Sequence, residues 1–356
     1  MLIYTIMPTK YYTIISNDKS FYYISEIKKI FELVLLDSSR VIEVISPNDQ
    51  PLETNIAYDL TKLELVKTYK LFDVDTIKYL INKGADFQHD HNYFFRLACF
   101  RGHLDLVKLL IEYGANIKER NNHAIRWTSQ SGHLEVIKLL INNGADIHAS
   151  NDDAIRTASS DGHLDLVKLL INNEADIHAN NDAIRSAIIN GHLEIVKLLI
   201  EQGANFTNDN NYAIRMAASN GHLDIVKLLI NLGADITAKN NYSLRKASMR
   251  GYLAIVKLLI NFGADVTAKN NYALIKTSKY GHLDVAKLLI ANGADITVEN
   301  NQILKIASER GDKDIIQLLI DNNIDITIDD NYAVKIASIY NRLNIIELLL
   351  KNGASL

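Results

Sequence analysis

One glycine step dominates this chain. Gly102, Gly132, Gly162, Gly191, Gly221, Gly251, Gly281 and Gly311 are separated by 30, 30, 29, 30, 30, 30 and 30 residues. A second series, Gly114, Gly144, Gly203, Gly233, Gly263 and Gly293, follows twelve residues behind, and Gly84 and Gly353 extend it at both ends. A fixed period of this length marks a solenoid, in which each unit contacts only its neighbours.

One unit predicts two helices. The first covers about Tyr212 to Ser219, with Ile214, Ala217 and Ala218 on its inner side. The second covers Leu223 to Leu232, where Leu223, Val226, Leu229 and Ile230 form one helical face. Asp224 and Lys227 suit the helix dipole and stand at i, i+3. Gly233 is expected to end this helix as its left-handed C′ residue. The Asn pair before Tyr212 is expected to cap the first helix through its side chains. Both helices are too short to stand alone, so units must stack.

Residues 1–56 fall outside the pattern, and all three prolines, Pro8, Pro47 and Pro51, lie there. "KYYTIIS" and "SFYYIS" predict a hairpin, "EIKKIFELVLLD" a helix and "SRVIEVIS" a strand. A small α+β segment over 1–56, packed on a repeat array over 57–356, is the expected organisation.

Bulk properties narrow the function. The net charge is −4, so no global charge favours nucleic acid or an anionic membrane. No apolar run approaches the roughly 18 residues that span a bilayer. The single cysteine, Cys99, and the lack of zinc-type spacing point to a reducing compartment, inside the cell and in its cytoplasm. No metal or cofactor motif is present, no phosphate-binding glycine loop occurs, and no nucleophile and base are paired, so the chain does not read as an enzyme.

Three ladders of polar residues recur with the repeat. His103, His133, His163, His192, His222 and His282 would stand about 10 Å apart in stacked units, too far to share a metal ion; they read as turn residues packing on the next repeat. Lys108, Lys138, Lys168, Lys197, Lys227, Lys257 and Lys287 follow an acidic residue by three positions in all but one case, which predicts an ion-paired outer face. Arg96, Arg126, Arg156, Arg185, Arg215 and Arg245 continue as Lys305 and Lys335, with Ile275 as the break. Each sits beside the apolar inner face. A guanidinium with five donors and a long stem is expected to act as a structural staple, reaching loop carbonyls or the carboxylates Asp146, Asp176, Asp235 and Asp265. Glu174 and Asn323 take the place of capping glycines. Asn accepts a left-handed backbone, whereas Glu pays about 1 kcal/mol there.

"GHLDLVKLLIEYGAN", "GHLEVIKLLINNGAD" and "GHLDVAKLLIANGAD" resemble the ankyrin repeat, and the resemblance recurs some ten times over residues 57–356. It implies an all-α solenoid of about ten helix-turn-helix repeats. Two departures stand out. The family period is about 33 and its first helix opens T-P-L-H; here the period is 30 and the tetrad is Tyr212-Ala213-Ile214-Arg215. The missing residues fall where the family builds a β-hairpin finger, so blunted fingers with little strand are expected. The Arg ladder occupies the place of the family's T-P-L-H histidine. Short Asn-, Ile-, Lys- and Tyr-rich repeats without the T-P step are similar to ankyrin arrays encoded by giant DNA viruses of amoebae, which would place the protein in an infected cell's cytoplasm.

The family's groove positions follow by resemblance: the residue after the Arg ladder and the two before each "GH". They include Leu97, Phe100 and Trp127 early in the array, then Met216, Lys246, Met249, Arg250, Lys276, Lys279, Tyr280, Arg310, Ile339 and Tyr340. An aromatic, aliphatic and basic mixture suits a protein partner of acidic or amphipathic character. A monomeric, non-enzymatic interaction scaffold, engaging a host protein if viral, is therefore expected. A substrate-recruiting subunit of a ubiquitin ligase is the alternative. No nucleic acid and no membrane are expected as partners.

Overall fold

The computed structural model describes the backbone of five strands and residues 71–179 and 182–356. Two compact units divide the chain, residues 1–179 and 180–356.

In the first unit, β1 (Tyr11–Ile15), β2 (Tyr22–Ser25), β3 (Arg40–Ile45), β4 (Ala57–Tyr58) and β5 (Glu64–Lys70) form one antiparallel sheet in the order β4-β2-β1-β3-β5. Tyr12 opposite Ser25 and Thr13 opposite Ile24 define the expected hairpin. The helix expected over "EIKKIFELVLLD" lies outside the described residues. Residues 57–70, which the repeat pattern claims, belong in part to the sheet: β4 pairs with β2 and β5 with β3. Alternation and β-branching in "ELVKTYK" prevail there over the helical period. Lys67 stands opposite Glu43 and Leu65 opposite Val44, so Val66 is the extra residue of a bulge.

Helices follow without further strands among the described residues. α1 (Val74–Asn82) stands alone, its N-terminus capped by Asp73, whose side chain accepts from the Thr76 amide at 2.9 Å. Three pairs complete the first unit: α2 (His89–Phe100) with α3 (Leu104–Glu112), α4 (Glu119–Ser131) with α5 (Leu134–Asn142), and α6 (Ala149–Asp161) with α7 (Leu164–Asn172). Six pairs form the second: α8 (Asp182–Asn190) with α9 (Leu193–Glu201), α10 (Asn208–Asn220) with α11 (Leu223–Asn231), α12 (Ala238–Arg250) with α13 (Leu253–Asn261), α14 (Ala268–Tyr280) with α15 (Leu283–Ala291), α16 (Val298–Arg310) with α17 (Lys313–Asp321), and α18 (Ile328–Ile339) with α19 (Leu343–Lys351). Within each unit first helices pack on first helices and second helices on second helices. The result is an ankyrin-type all-α stack.

Small residues permit this packing. Ala98, Thr128 and Ala158 in one unit, and Ala187, Ala217, Ala247, Thr277, Ala307 and Ala337 in the other, are fully buried at one repeated position. The second helices contribute Val136, Ile195, Ile225, Ile255 and their equivalents to the core. The Gly233 end is a Schellman motif: Gly233 N–H donates to Ile230 O and Ala234 N–H to Leu229 O, both at 2.9 Å, with Gly233 at φ 86°.

The shortened finger is closed by a left-handed turn. Three consecutive residues take φ between 46° and 59° at 90–92, 120–122, 150–152, 209–211, 239–241, 269–271 and 329–331. The Asn pair expected to cap the first helix is part of this turn instead. At Asn210 and Asn211 the backbone is left-handed, and the right-handed helix begins at Tyr212. Such a turn costs about 1–2 kcal/mol per L-residue, least for Asn and Asp. Something must compensate in every repeat.

Candidate interaction surface

Two sets of side chains meet that cost. The third residue of the turn reaches one repeat forward. Asn122 Oδ1 accepts from Asp146 N–H at 2.8 Å, Asn211 from Asp235 at 2.9 Å, Asn241 from Asp265 at 2.9 Å, Asn271 from Asp295 at 2.8 Å and Asn331 from Ser355 at 3.0 Å. Asp152 does the same for Asp176 at 2.8 Å. Asn301 meets its partner through the amide nitrogen, donating to Asp325 O at 3.4 Å, and the buried Asn92 Oδ1 has no such bond.

The Arg ladder holds the turn from the other side. Arg215 donates through Nε to Asn210 O at 3.0 Å and through Nη2 to Asp209 O at 2.8 Å. Arg245 repeats the fork on Asn240 O at 2.9 Å and Lys239 O at 3.1 Å. Arg96 and Arg126 do likewise on the carbonyls of residues 91 and 90, and of 121 and 120. Of the two targets expected, loop carbonyls and "GAD" carboxylates, these arginines take the carbonyls. The carboxylates turn into their own loops: Asp235 accepts from the Thr237 amide and hydroxyl, and Asp146 from the His148 amide. Arg156 and Arg185 differ. Arg156 bonds Asp153, which also pairs with Arg126 at 3.0 Å, and Arg185 pairs with Asp209 and, at 4.0 Å, with Asp182.

A second column interleaves with the arginines, and ladder-by-ladder reading of the sequence misses it. Arg215 lies between Tyr212 and Tyr242, at 5.6 and 5.3 Å from the ring centres, and Arg245 lies between Tyr242 and Tyr272, at 5.7 and 5.1 Å. The signal was present: Tyr93, Tyr212, Tyr242, Tyr272 and Tyr332 all stand at the same place in the repeat. Where the aromatic is absent, Asp153 or Asp182 supplies a carboxylate and His123 an imidazole. His123 Nδ1 lies 3.4 Å from Arg96 Nη1. Burial, with Arg96, Arg126 and Arg120 nearby, lowers its pKa to about 4, so the ring is neutral and accepts.

The histidines close the opposite turn. His163 Nε2 meets Gln130 O at 2.9 Å, His222 meets Ile189 O at 2.8 Å and His282 meets Met249 O at 3.1 Å. Each ring lies over a glycine of the preceding repeat. A Cβ on Gly132 would stand 2.5 Å from the His163 ring, which explains the paired "GH" spacing. Arg342 substitutes in the last repeat, donating to Glu309 O at 3.1 Å. On the outer face Lys108, Lys138, Lys197 and Lys227 pair with Asp105, Glu135, Glu194 and Asp224 at 2.7–3.0 Å.

Most of the repeated charges are thus engaged within the scaffold, and the non-repeated positions differ from them. In the first unit Phe100 stacks on Trp127 at 4.5 Å, and His123 meets the indole edge-on at 5.3 Å. Arg101 covers Phe72 at 4.5 Å. Leu97, counted among the groove positions, is instead fully buried. In the second unit Met216 and Met249 are half-buried. Lys246 and Lys276 lie over Tyr242 and Tyr272, at 5.5 and 5.1 Å. Arg250, Lys279, Tyr280, Arg310 and Tyr340 are exposed. Glu309, by its charge and its hydrogen bond, raises the Tyr340 pKa. Tyr280 is 51 % exposed and Ile339 75 %. The two groups belong to different units. No cluster of three or more His, Cys, Asp or Glu that could hold a metal occurs among the described residues. No described helix is long and apolar enough to cross a membrane.

Residues 67–151, 155–240 and 244–330 match a family described as "Ankyrin repeats (3 copies)". Among solved structures the chain is similar to the human ASB11 ankyrin repeat domain, at 21 % identity and a TM-score of 0.49, over 56 % of this chain and 98 % of that one. No curated protein sequence matches.

Proposed function

The chain belongs to the ankyrin repeat family, and from that premise we propose that it is a non-enzymatic scaffold that binds a partner protein through the non-repeated face of its second unit. Ankyrin repeats mediate protein–protein interaction. One observation carries the site: most recurring cations are held by carbonyls, rings or carboxylates, whereas Arg250, Lys279, Tyr280, Arg310 and Tyr340 stand exposed at positions that change from repeat to repeat. Tyr, Met and Arg are the residues that carry energy at protein interfaces. Five cations, Lys246, Arg250, Lys276, Lys279 and Arg310, outnumber the single acid Glu309 on these positions, which favours a partner segment with carboxylates around an apolar anchor. A stack pinned at every turn presents that face with little ordering cost. The Asn-, Ile-, Lys- and Tyr-rich repeats without a T-P step support a viral origin, with a cytoplasmic host protein as the partner. Phe100 and Trp127 form a second, separate contact point.

The test is photo-crosslinking in the native host, with the reactive residue placed at Met249, Tyr280 or, as an outer-face control, Lys227. The groove positions are expected to capture one protein and Lys227 none. Equal capture at all three positions overturns the reading. Ligase components among the captured proteins would replace the scaffold by an adaptor.

A further inference from the structure

The whole-chain charge of −4 conceals a local excess of the opposite sign. α12 carries Lys239, Arg245, Lys246 and Arg250, and α14 carries Lys269, Lys276 and Lys279. Neither helix holds an acid. The internal repetition supplies a control at each place. In the other repeats of the second unit, the place of Lys239 and Lys269 is taken by Asp209, Glu299 and Asp329, and that of Lys246 and Lys276 by Met216, Ile306 and Ile336. Two separate positions therefore turn to lysine in the same two repeats. The single acid between Lys239 and Lys279 is Asp265, whose carboxylate accepts from the Thr267 amide and hydroxyl at 2.8 and 2.7 Å.

These cations have no counter-charge of their own. Arg245 commits its fork to the carbonyls of residues 239 and 240. The other six form no ion pair among the described residues. Lys246 lies over Tyr242 and Lys276 over Tyr272, and the same two rings carry Arg215 and Arg245, so four cations gather round two rings. In the next repeats the cations are neutralised: Lys305 by Asp329 and Lys335 by Asp330, each at 2.5 Å. Like charges held together without a partner attract anions from solution.

We propose that α12 and α14 dock a run of about six residues rich in Asp and Glu within the partner segment. This dock rests on the scaffold reading above and places the partner's acids on two named helices, with Met249 and Tyr280 beside them for its apolar anchor. Two helix layers at about 10 Å each span about 20 Å, the length of about six extended residues. Acids stand on both sides, Asp209 before and Glu299 and Glu309 after. They repel a nucleic-acid strand, whose negative charges would continue past these two layers. The Tyr242 ring, with Arg215 and Arg245 against it, offers no face on which a base could stack. A phosphorylated side chain is best held by guanidinium forks, whereas five of the six unpaired cations are lysines. Spread point charges of this kind match single carboxylates spread along a chain.

Fluorescence anisotropy of a labelled hexaglutamate peptide, titrated with the full chain at low and high salt, tests this. Binding is expected at low salt, with affinity falling as salt rises. Lys246→Gln combined with Lys276→Gln should weaken binding by about tenfold or more, while Lys227→Gln, on the outer face, should bind as the parent does. Lys239→Gln combined with Lys269→Gln, in the exposed turns, should also weaken binding and leaves the ring contacts in place, so a folding defect in the first variant does not obscure the result. Absence of hexaglutamate binding at low salt overturns the proposal, as does equal binding by the parent and both double variants. A phosphoserine peptide or a short single-stranded oligonucleotide of equal charge that binds about tenfold tighter assigns the face to that ligand and overturns the carboxylate dock. Failure of the dock and failure of the scaffold are told apart. Photo-capture at Met249 or Tyr280 without hexaglutamate binding overturns the dock alone. Hexaglutamate binding with equal capture at Met249, Tyr280 and Lys227 overturns the scaffold and leaves an anion site.

Discussion

Asn241 Oδ1 takes the backbone N–H of Asp265 at 2.9 Å, across the junction between two repeats. Asn241 is 7 % exposed and sits at φ 54°. One side chain therefore satisfies the next repeat's amide while its own backbone holds the left-handed turn. Asn241→Ala removes the acceptor and raises the cost of that φ. A loss of about 2–3 kcal/mol is expected, read as a lower urea midpoint and faster exchange of the Asp265 amide. An unchanged midpoint would show that the bond contributes nothing.

Arg245 is nearly buried, forks onto two carbonyls of the same turn and lies between two tyrosines. Arg245→Met keeps the apolar stem and removes the donors. A destabilisation of about 2 kcal/mol is expected, and Arg245→Lys should recover only part of it, because an ammonium lacks the fork. Equal stability of Met and Arg at this position would rule out a stapling role.

Glu174 occupies the helix-ending position that glycine fills in most other repeats, and its φ is 70°. At the equivalent Gly144 and Gly233 no atom lies within 4 Å of an added Cβ, so the penalty there is in the backbone and not in packing. Glu174→Gly is expected to stabilise the array by about 1 kcal/mol. A melting temperature that stays constant or falls would contradict this.

His123 titrates at about 4 in the folded protein, against an ordinary value of 6.5, chiefly through burial and then through Arg96. The unfolded chain therefore binds a proton first. Stability is complete above pH 6.5 and declines as pH falls from there towards 4. His103 is shifted in the same direction, again mainly by burial. His123→Gln is expected to flatten the pH dependence of the melting temperature between those values. A slope identical to the parent would show that another group controls it.

The repeat and its two helices were legible because glycine spacing and the face of Leu223, Val226, Leu229 and Ile230 are local signals. The turn before the first helix was not. "NN" is a good cap and also a good left-handed pair, and only the partner twenty-four residues further on, Asp235, decides between them. The Arg ladder was visible and loop carbonyls were one of its two expected targets, but the choice between carbonyls and carboxylates was not legible, since carbonyls carry no letter in a sequence. Leu97 was misplaced for a related reason. Its position is a groove position in the repeat pattern, whereas the side chain is fully buried, which depends on neighbours the pattern does not specify. Residues 64–70 read as repeat because Leu65 and Val66 fit either period, and pairing with β3 settles them as strand.

The asparagine bridge has a consequence for how such a gene changes. Junctions are made by atoms 24 residues apart on one side and 33 on the other, as in Asn211 with Asp235 and His222 with Ile189. No contact of this kind skips a neighbour. Copying or losing a block of thirty residues therefore leaves such a junction with both of its halves. The length of the array is free to vary by whole blocks, while the groove side chains diverge independently in each copy, since the junctions use only backbone carbonyls there, as at Met249 and Glu309.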